Sequence, residues 1–199
     1  MITAVQLATS NPFNSRQISP GAIDYIFPAG ESLGTLLKTL RNNWRGQIIG
    51  PHGTGKSTLL KALVPELCAL GTEVRWGTFQ GGRQQWKFLP NGKSADVPSR
   101  IVVIDGFEQL NPLARWRWLA GTYVLRQGLV ITTHQPVRLP LLHQTHVTPE
   151  LAQQIATELA GELAHEVQAE VVAELLTKHE GNMRDTLFAL YDLFESCRR

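Results

Sequence analysis

The run Gly50-Pro51-His52-Gly53-Thr54-Gly55-Lys56-Ser57, followed by Thr58, decides how the rest of this chain is read, because it fits the pattern G-x-x-x-x-G-K-[ST]. Gly50, Gly53 and Gly55 tolerate positive φ and leave room for backbone N–H groups to turn inward around a polyphosphate. A helix starting near Lys56 points its positive end at the same place. Lys56 would reach the β and γ phosphates as a point charge, and Ser57 would offer its hydroxyl to Mg²⁺. The whole stretch from Gly50 to Thr58, including Pro51, His52 and Thr54, is therefore the expected contact surface for a nucleoside triphosphate.

Working outward, the apolar strand Gln47-Ile48-Ile49 feeds the loop, and the helix after it runs from Lys56 to about Ala69, with Pro65 inside and Gly71 as its stop. Upstream, Ser32 caps a short amphipathic helix carrying Leu33, Leu36, Leu37 and Leu40 on one side. Residues 1–30, with Pro12, Pro20 and Pro28, read as an extended arm. Downstream, Glu73 to Phe79 and Gln85 to Leu89 flank Gly81-Gly82 as a hairpin, and 90–99 is a loop. Ile101-Val102-Val103-Ile104 and Leu129-Val130-Ile131-Thr132 are continuous apolar runs, the pattern of strands buried on both faces of a parallel sheet. A helix from about Pro112 to Arg126 joins them, and strands alternating with helices mean an α/β sheet.

After Pro149 the chain reads as helical, at about 149–160, 162–179 and 183–197, with Leu163, Val167, Val171 and Leu175 marking the buried stripe of the middle helix and 187, 190, 191 and 194 that of the last. The expected organisation is an arm over 1–30, a nucleotide-binding core over 31–148 and a small helical lid over 149–199.

Asp105 closes the run Ile101 to Ile104, about fifty residues after Lys56. Together, the two patterns resemble the Walker A and Walker B motifs of P-loop NTPases, in which the carboxylate at the strand tip helps to hold Mg²⁺. Asp105-Gly106-Phe107-Glu108 resembles the Walker B variant of the NACHT branch of STAND proteins, whose second acid lies three positions on; the resemblance makes Glu108 the residue that activates water. Thr132-Thr133-His134 looks like a sensor 1 position, where Thr133 or His134 would orient the attacking water. Gly181-Asn182-Met183-Arg184-Asp185-Thr186-Leu187 resembles the sensor 2 segment of AAA+ ATPases, which makes Arg184 the lid residue that reaches the γ-phosphate. The resemblance spans residues 27 to 197 and implies a mainly parallel, five-stranded sheet in a three-layer sandwich with a helical lid. Three features depart from it: Gly106 replaces the usual acid, a hairpin stands between the first helix and Asp105, and no partner domain is expected after the lid; the family's arginine finger, acting between subunits, would fall to Arg138, the only arginine between His134 and Arg184.

With a formal net charge of +2, the whole-chain balance argues for neither nucleic acid nor an acidic membrane as partner. In the helix after Pro112, the face of Leu113, Trp116, Ala120 and Tyr123 is expected to be core, leaving Arg115, Trp118 and Thr122 on another face, so Arg115-Trp116-Arg117-Trp118 is not read as a nucleic-acid patch. Cys68 and Cys197 form no disulfide framework or metal cluster, and with no leader or long apolar run the expectation is a soluble cytoplasmic protein. No N-K-x-D guanine-reading motif follows a late strand, which favours ATP over GTP. The sequence thus predicts a Mg²⁺-dependent ATPase switch, able to act on a protein partner or as a homo-oligomer. A non-hydrolysing nucleotide-dependent interaction module and a small-molecule kinase are the alternatives.

Overall fold

The computed structural model describes residues 11–15, 18–80, 83–90 and 96–197. The turn expected at Gly81-Gly82, the first ten residues of the arm and residues 91–95 of the following loop lie outside the described residues. The chain divides into two compact units: a sheet unit of Tyr25–Gly50 and Lys56–Thr145, and a helical unit of Met1–Asp24, Pro51–Gly55 and His146–Arg199.

The sheet unit runs α1 (Leu33–Arg41), β1 (Arg45–Ile49), α2 (Lys56–Ala69), β2 (Glu73–Gln80), β3 (Arg83–Leu89), β4 (Arg100–Asp105), a 3-10 turn (Phe107–Gln109), α3 (Pro112–Val124), β5 (Gly128–Thr133) and β6 (Leu141–Gln144). Its strands stand in the order β3-β2-β4-β5-β1-β6, all parallel except β3, which pairs antiparallel with β2 at one edge. The sheet therefore has six strands, not the five expected. The unexpected one is β6, a four-residue edge strand with Leu141 half exposed and His143 and Gln144 in it, too short and too polar to leave an apolar run. His143 is nonetheless buried, because the Tyr25 hydroxyl meets its Nε2 and Glu31 its Nδ1, each at 2.7 Å.

Residues of β4 alternate between two cores, as a sheet covered on both faces requires. Ile101 and Val103, with Val130 of β5, pack against Leu36 and Leu40 of α1 and Leu59, Leu60, Leu63 and Leu67 of α2. Val102 and Ile104, with Leu129 and Ile131, face the other way, toward Phe107, Trp118 and Leu119. α1 begins as expected at Ser32, whose hydroxyl accepts the Thr35 N–H at 3.2 Å while the Thr35 hydroxyl accepts that of Ser32 at 2.9 Å.

α3 keeps its expected span to within two residues but presents the opposite face. Trp118 stacks on Trp86 with ring centroids 5.2 Å apart, and Thr122 is buried, its hydroxyl taking a bond from Arg45 at 2.9 Å. Leu113, Trp116 and Tyr123, expected in the core, are exposed. Both sides of this helix carry aromatics, so periodicity could not choose between them; Trp86 of the additional strand β3 decides the matter.

Glu73 joins β2 to β4, accepting two hydrogen bonds from Arg100 and one from Arg75, each at 2.9 Å. Those two arginines hold its carboxyl down at about 2. A depressed carboxylate stabilises the fold above its unfolded value of 4.5, and that contribution disappears as pH falls through about 2. Glu73→Gln is expected to reduce unfolding free energy by about 1 kcal/mol at neutral pH, a figure limited by the pair's partial exposure. Denaturant titrations should show the gap between variant and wild type closing from pH 4.5 toward pH 2.

The helical unit contains α4 (Pro149–Ala160), a 3-10 segment (Gly161–Glu166), α5 (Ala169–Lys178) and α6 (Met183–Cys197). The expected middle helix over 162–179 is thus shorter. Gly161 at φ 55 ends α4, and Val167 is extended, so Leu163 and Val167 lie before α5, whose buried positions are Val172 and Leu176. Leu187 and Leu190 are buried with them, and Tyr191 and Phe194 pack alongside, as expected. Phe13 of the arm is fully buried in this cluster, 5.1 Å from the Phe194 ring, and Asn11 donates to the Tyr191 carbonyl and to Glu195. No helix among the described residues is long and apolar enough to cross a membrane.

Candidate functional site

Because β1, β4 and β5 are parallel, their carboxyl ends share one edge of the sheet, where ligand-binding loops of such sheets collect. Gly50 leaves β1 there, its N–H held by the Thr133 carbonyl at 3.2 Å. Gly53 and Gly55 adopt φ of 70° and 93°. Thr54 is buried and its hydroxyl donates to Pro51 O at 2.9 Å, whereas Pro51 and His52 are exposed. Ser57 and Thr58 stand partly exposed in the first turn of α2.

Lys56 is buried at the head of α2, its Nζ donating to the Gly50 carbonyl at 2.6 Å and standing 3.5 Å from His134 Nδ1. Burial pushes its ammonium down to about 8, against the opposing pull of Glu108 and Asp105.

Asp105 Oδ1 accepts a hydrogen bond from the Thr132 hydroxyl at 2.7 Å, and the same hydroxyl accepts the Gly106 N–H at 2.8 Å. Thr132 thereby fixes both the strand-end carboxylate and the turn after it. Gly106 has φ 82, and a Cβ placed on it would lie 2.4 Å from the Phe79 carbonyl oxygen. No side chain fits there, which explains why no acid follows Asp105 directly. The chain instead turns through Phe107–Gln109, anchored by buried Phe107 and by Arg115, which donates to the carbonyls of Glu108 and Leu110.

That turn sets Glu108 Oε1 3.0 Å from His134 Nε2, while Oε2 is buried and, among the described residues, has no hydrogen-bond partner. His134 Nδ1 lies 2.9 Å from the Gly50 carbonyl, which can only accept, so Nδ1 carries a proton. The Nε2 contact then needs another, on the ring as an imidazolium or on the carboxyl of Glu108. Gly50, Lys56, Glu108 and His134 form one connected group, with Asp105 felt by Lys56 and held by Thr132. Thr133, by contrast, spends its hydroxyl on the Gln135 carbonyl at 2.9 Å. Its neighbour Thr132 has the role that sequence reasoning left unassigned.

These residues fit a triphosphate with Mg²⁺. Gly53 and Gly55 hold positive φ; in the sheet unit a buried ammonium rests on the Gly50 carbonyl, and the orphaned Glu108 Oε2 lacks a donor that water can provide. Among the described residues no three His, Cys, Asp or Glu side chains gather to hold a metal by themselves.

Within the helical unit, Gly53 meets α6. Asn182 caps that helix, its Oδ1 accepting the Asp185 N–H at 3.3 Å, and a Cβ on Gly53 would lie 1.6 Å from that oxygen. Arg184 is exposed in the helix's first turn, with its backbone nitrogen 3.3 Å from the same point. Gly53→Ala should therefore be destabilising, and Asn182→Ala should relieve the steric part of the loss. A double-mutant cycle is expected to show coupling of about 1 kcal/mol; additive effects would mean that the two residues do not touch.

No protein-family model and no curated protein matches this chain.

Proposed function

We propose that the chain is an ATP-binding protein of the P-loop NTPase class, resembling AAA+ and STAND proteins, and that it hydrolyses ATP. The observation that carries this reading is the group at the sheet edge: a buried lysine, a strand-end aspartate and a Glu108–His134 pair around the Gly50 carbonyl, within one unit. The strand order supports it, because β5 stands between the loop's strand β1 and the Asp105 strand β4, as in P-loop proteins with an additional strand.

Lys56 exchanges the Gly50 carbonyl for the β and γ phosphate oxygens. Ser57 and Asp105 would hold Mg²⁺, a charge that further neutralises those oxygens. Thr132 keeps Asp105 oriented. Glu108 Oε2 accepts a hydrogen bond from the attacking water, while His134 holds Oε1 and so fixes the carboxylate plane. A bond then forms between the water oxygen and the γ phosphorus, and the bond to the bridging oxygen breaks to leave ADP. Arg184 and Asn182, at the start of α6, would report the loop's occupancy to the helical unit.

Single-turnover phosphate release tests this. Glu108→Gln is expected to slow release by about 10²- to 10⁴-fold, the usual contribution of a positioned base, with ATP affinity kept within a few-fold. No release from wild type at any protein concentration would favour the non-hydrolysing module, and unchanged release from the variant would remove Glu108 from the mechanism.

A further inference from the structure

α3 carries an outward apolar stripe that its own chain does not cover among the described residues. Leu113, Trp116, Tyr123 and Val124 are 66, 65, 73 and 77% exposed, Ala120 falls between them at helical spacing, and Leu125 continues the patch. Exposed large apolar side chains gathered along one helix face are what an interaction site presents. Its charge is one-sided: residues 111–127 contain Arg115, Arg117 and Arg126 and no Asp or Glu.

The complementary surface is on the same chain. Net charge conceals a strong asymmetry, since residues 25–145 hold fourteen Lys and Arg against six Asp and Glu, while residues 146–199 hold four against ten. Among the described residues, α6 is the only other helix with exposed large apolar side chains, Phe188 and Leu193; exposed Asp185 and Asp192 flank them, outnumbering the single exposed Arg184 one turn before Phe188. We propose that α3 of one copy receives α6 of a second copy, as a head-to-tail contact between basic-apolar and acidic-apolar helix faces. Each copy carries both faces, so two copies can pair α3 to α6 reciprocally or continue into a chain, and a copy with one face spoiled still keeps the other.

Nucleic acid fits less well, because Leu113, Val124 and Leu125 have no hydrogen bonds to give to phosphates or bases. An anionic membrane surface calls for about four to eight clustered basic residues, more than the three arginines here. The contact is independent of the nucleotide reading.

Sedimentation velocity on the full chain, from about 1 to 100 μM as expected for a single helix pair, tests the proposal. Mass should rise with concentration to a dimer or beyond and fall when salt is raised. Trp116→Glu and Phe188→Glu, both at exposed positions, should each give monomers with unchanged melting temperature. Mixing these two variants should restore a 1:1 dimer and nothing larger, since each retains one intact face. Arg117→Asp and Asp192→Arg, weak alone, should associate with each other. Wild type that stays monomeric throughout, assembly insensitive to Trp116→Glu, or a variant mixture that stays monomeric would overturn the proposal. So would binding of a labelled single-stranded oligonucleotide or of phosphatidylserine vesicles that is lost with Trp116→Glu, which would assign the α3 face to that occupant.

Discussion

Gly106→Ala is expected to lower the melting temperature by roughly 10 °C and, under the proposed hydrolysis, to remove most of the phosphate-release rate. Two penalties combine at this position. An L-residue at φ 82 sits in left-handed territory, which costs about 1–2 kcal/mol. The added methyl would also lie 2.4 Å from a backbone oxygen of Phe79, which cannot rotate away as a side chain could, adding about 1–3 kcal/mol. Relief requires shifting the turn that carries Glu108, and this strains the Gly106 N–H bond to Thr132 and, through it, the orientation of Asp105. Gly106→Glu, which would install an acid where many P-loop ATPases have one, should be worse than Gly106→Ala and should not rescue Glu108→Gln. Thermal melts and phosphate-release rates check both variants; a Gly106→Ala protein as stable as wild type would mean that the turn after β4 is built differently.

Lys56→Ala should weaken ATP binding by about 100-fold or more in isothermal titration, because a charge-assisted bond to phosphate is worth about 1.5–3 kcal/mol and this lysine is expected to make more than one. The ammonium is buried beside the Gly50 carbonyl, and burial pushes its proton affinity down to a value of about 8. Lys56→Arg should not restore affinity, since a planar fork is a poor substitute for a compact charge in this space. Equal affinity in wild type and Lys56→Ala would place the nucleotide somewhere else.

Features with a strong physical imprint were legible in the residues. Glycines at fixed spacing before Lys56, a buried apolar run ending in Asp105 and a Ser32 cap each constrain the backbone locally, and α2 begins and ends where the pattern places it. What depends on a neighbour was not legible. β6 owes its place to Tyr25 and Glu31 holding His143, residues more than a hundred positions away. The buried face of α3 is chosen by Trp86 on a different strand. At the site, Asp105 and Glu108 were readable, but their partners were not, because partnership comes from strand register. Pairing of Ile104 with Ile131 carries Asp105 to Thr132, and the turn set by Gly106 then brings Glu108 to His134. Aligning the polar ends of the two buried runs would have exposed the first of these pairs; nothing in the spacing alone pointed to the second.

In the proposed function the Gly50 loop holds ATP against Asp105 and Glu108. A crystal structure of the full chain with Mg²⁺ and a non-hydrolysable ATP analogue tests it most directly. The account predicts β and γ phosphates in the loop with Lys56 Nζ moved from the Gly50 carbonyl onto them, Ser57 and Asp105 at the metal, and a water on Glu108 Oε2 facing the γ phosphorus. A nucleotide bound elsewhere, or a loop that stays closed on Lys56 at saturating analogue, would contradict it.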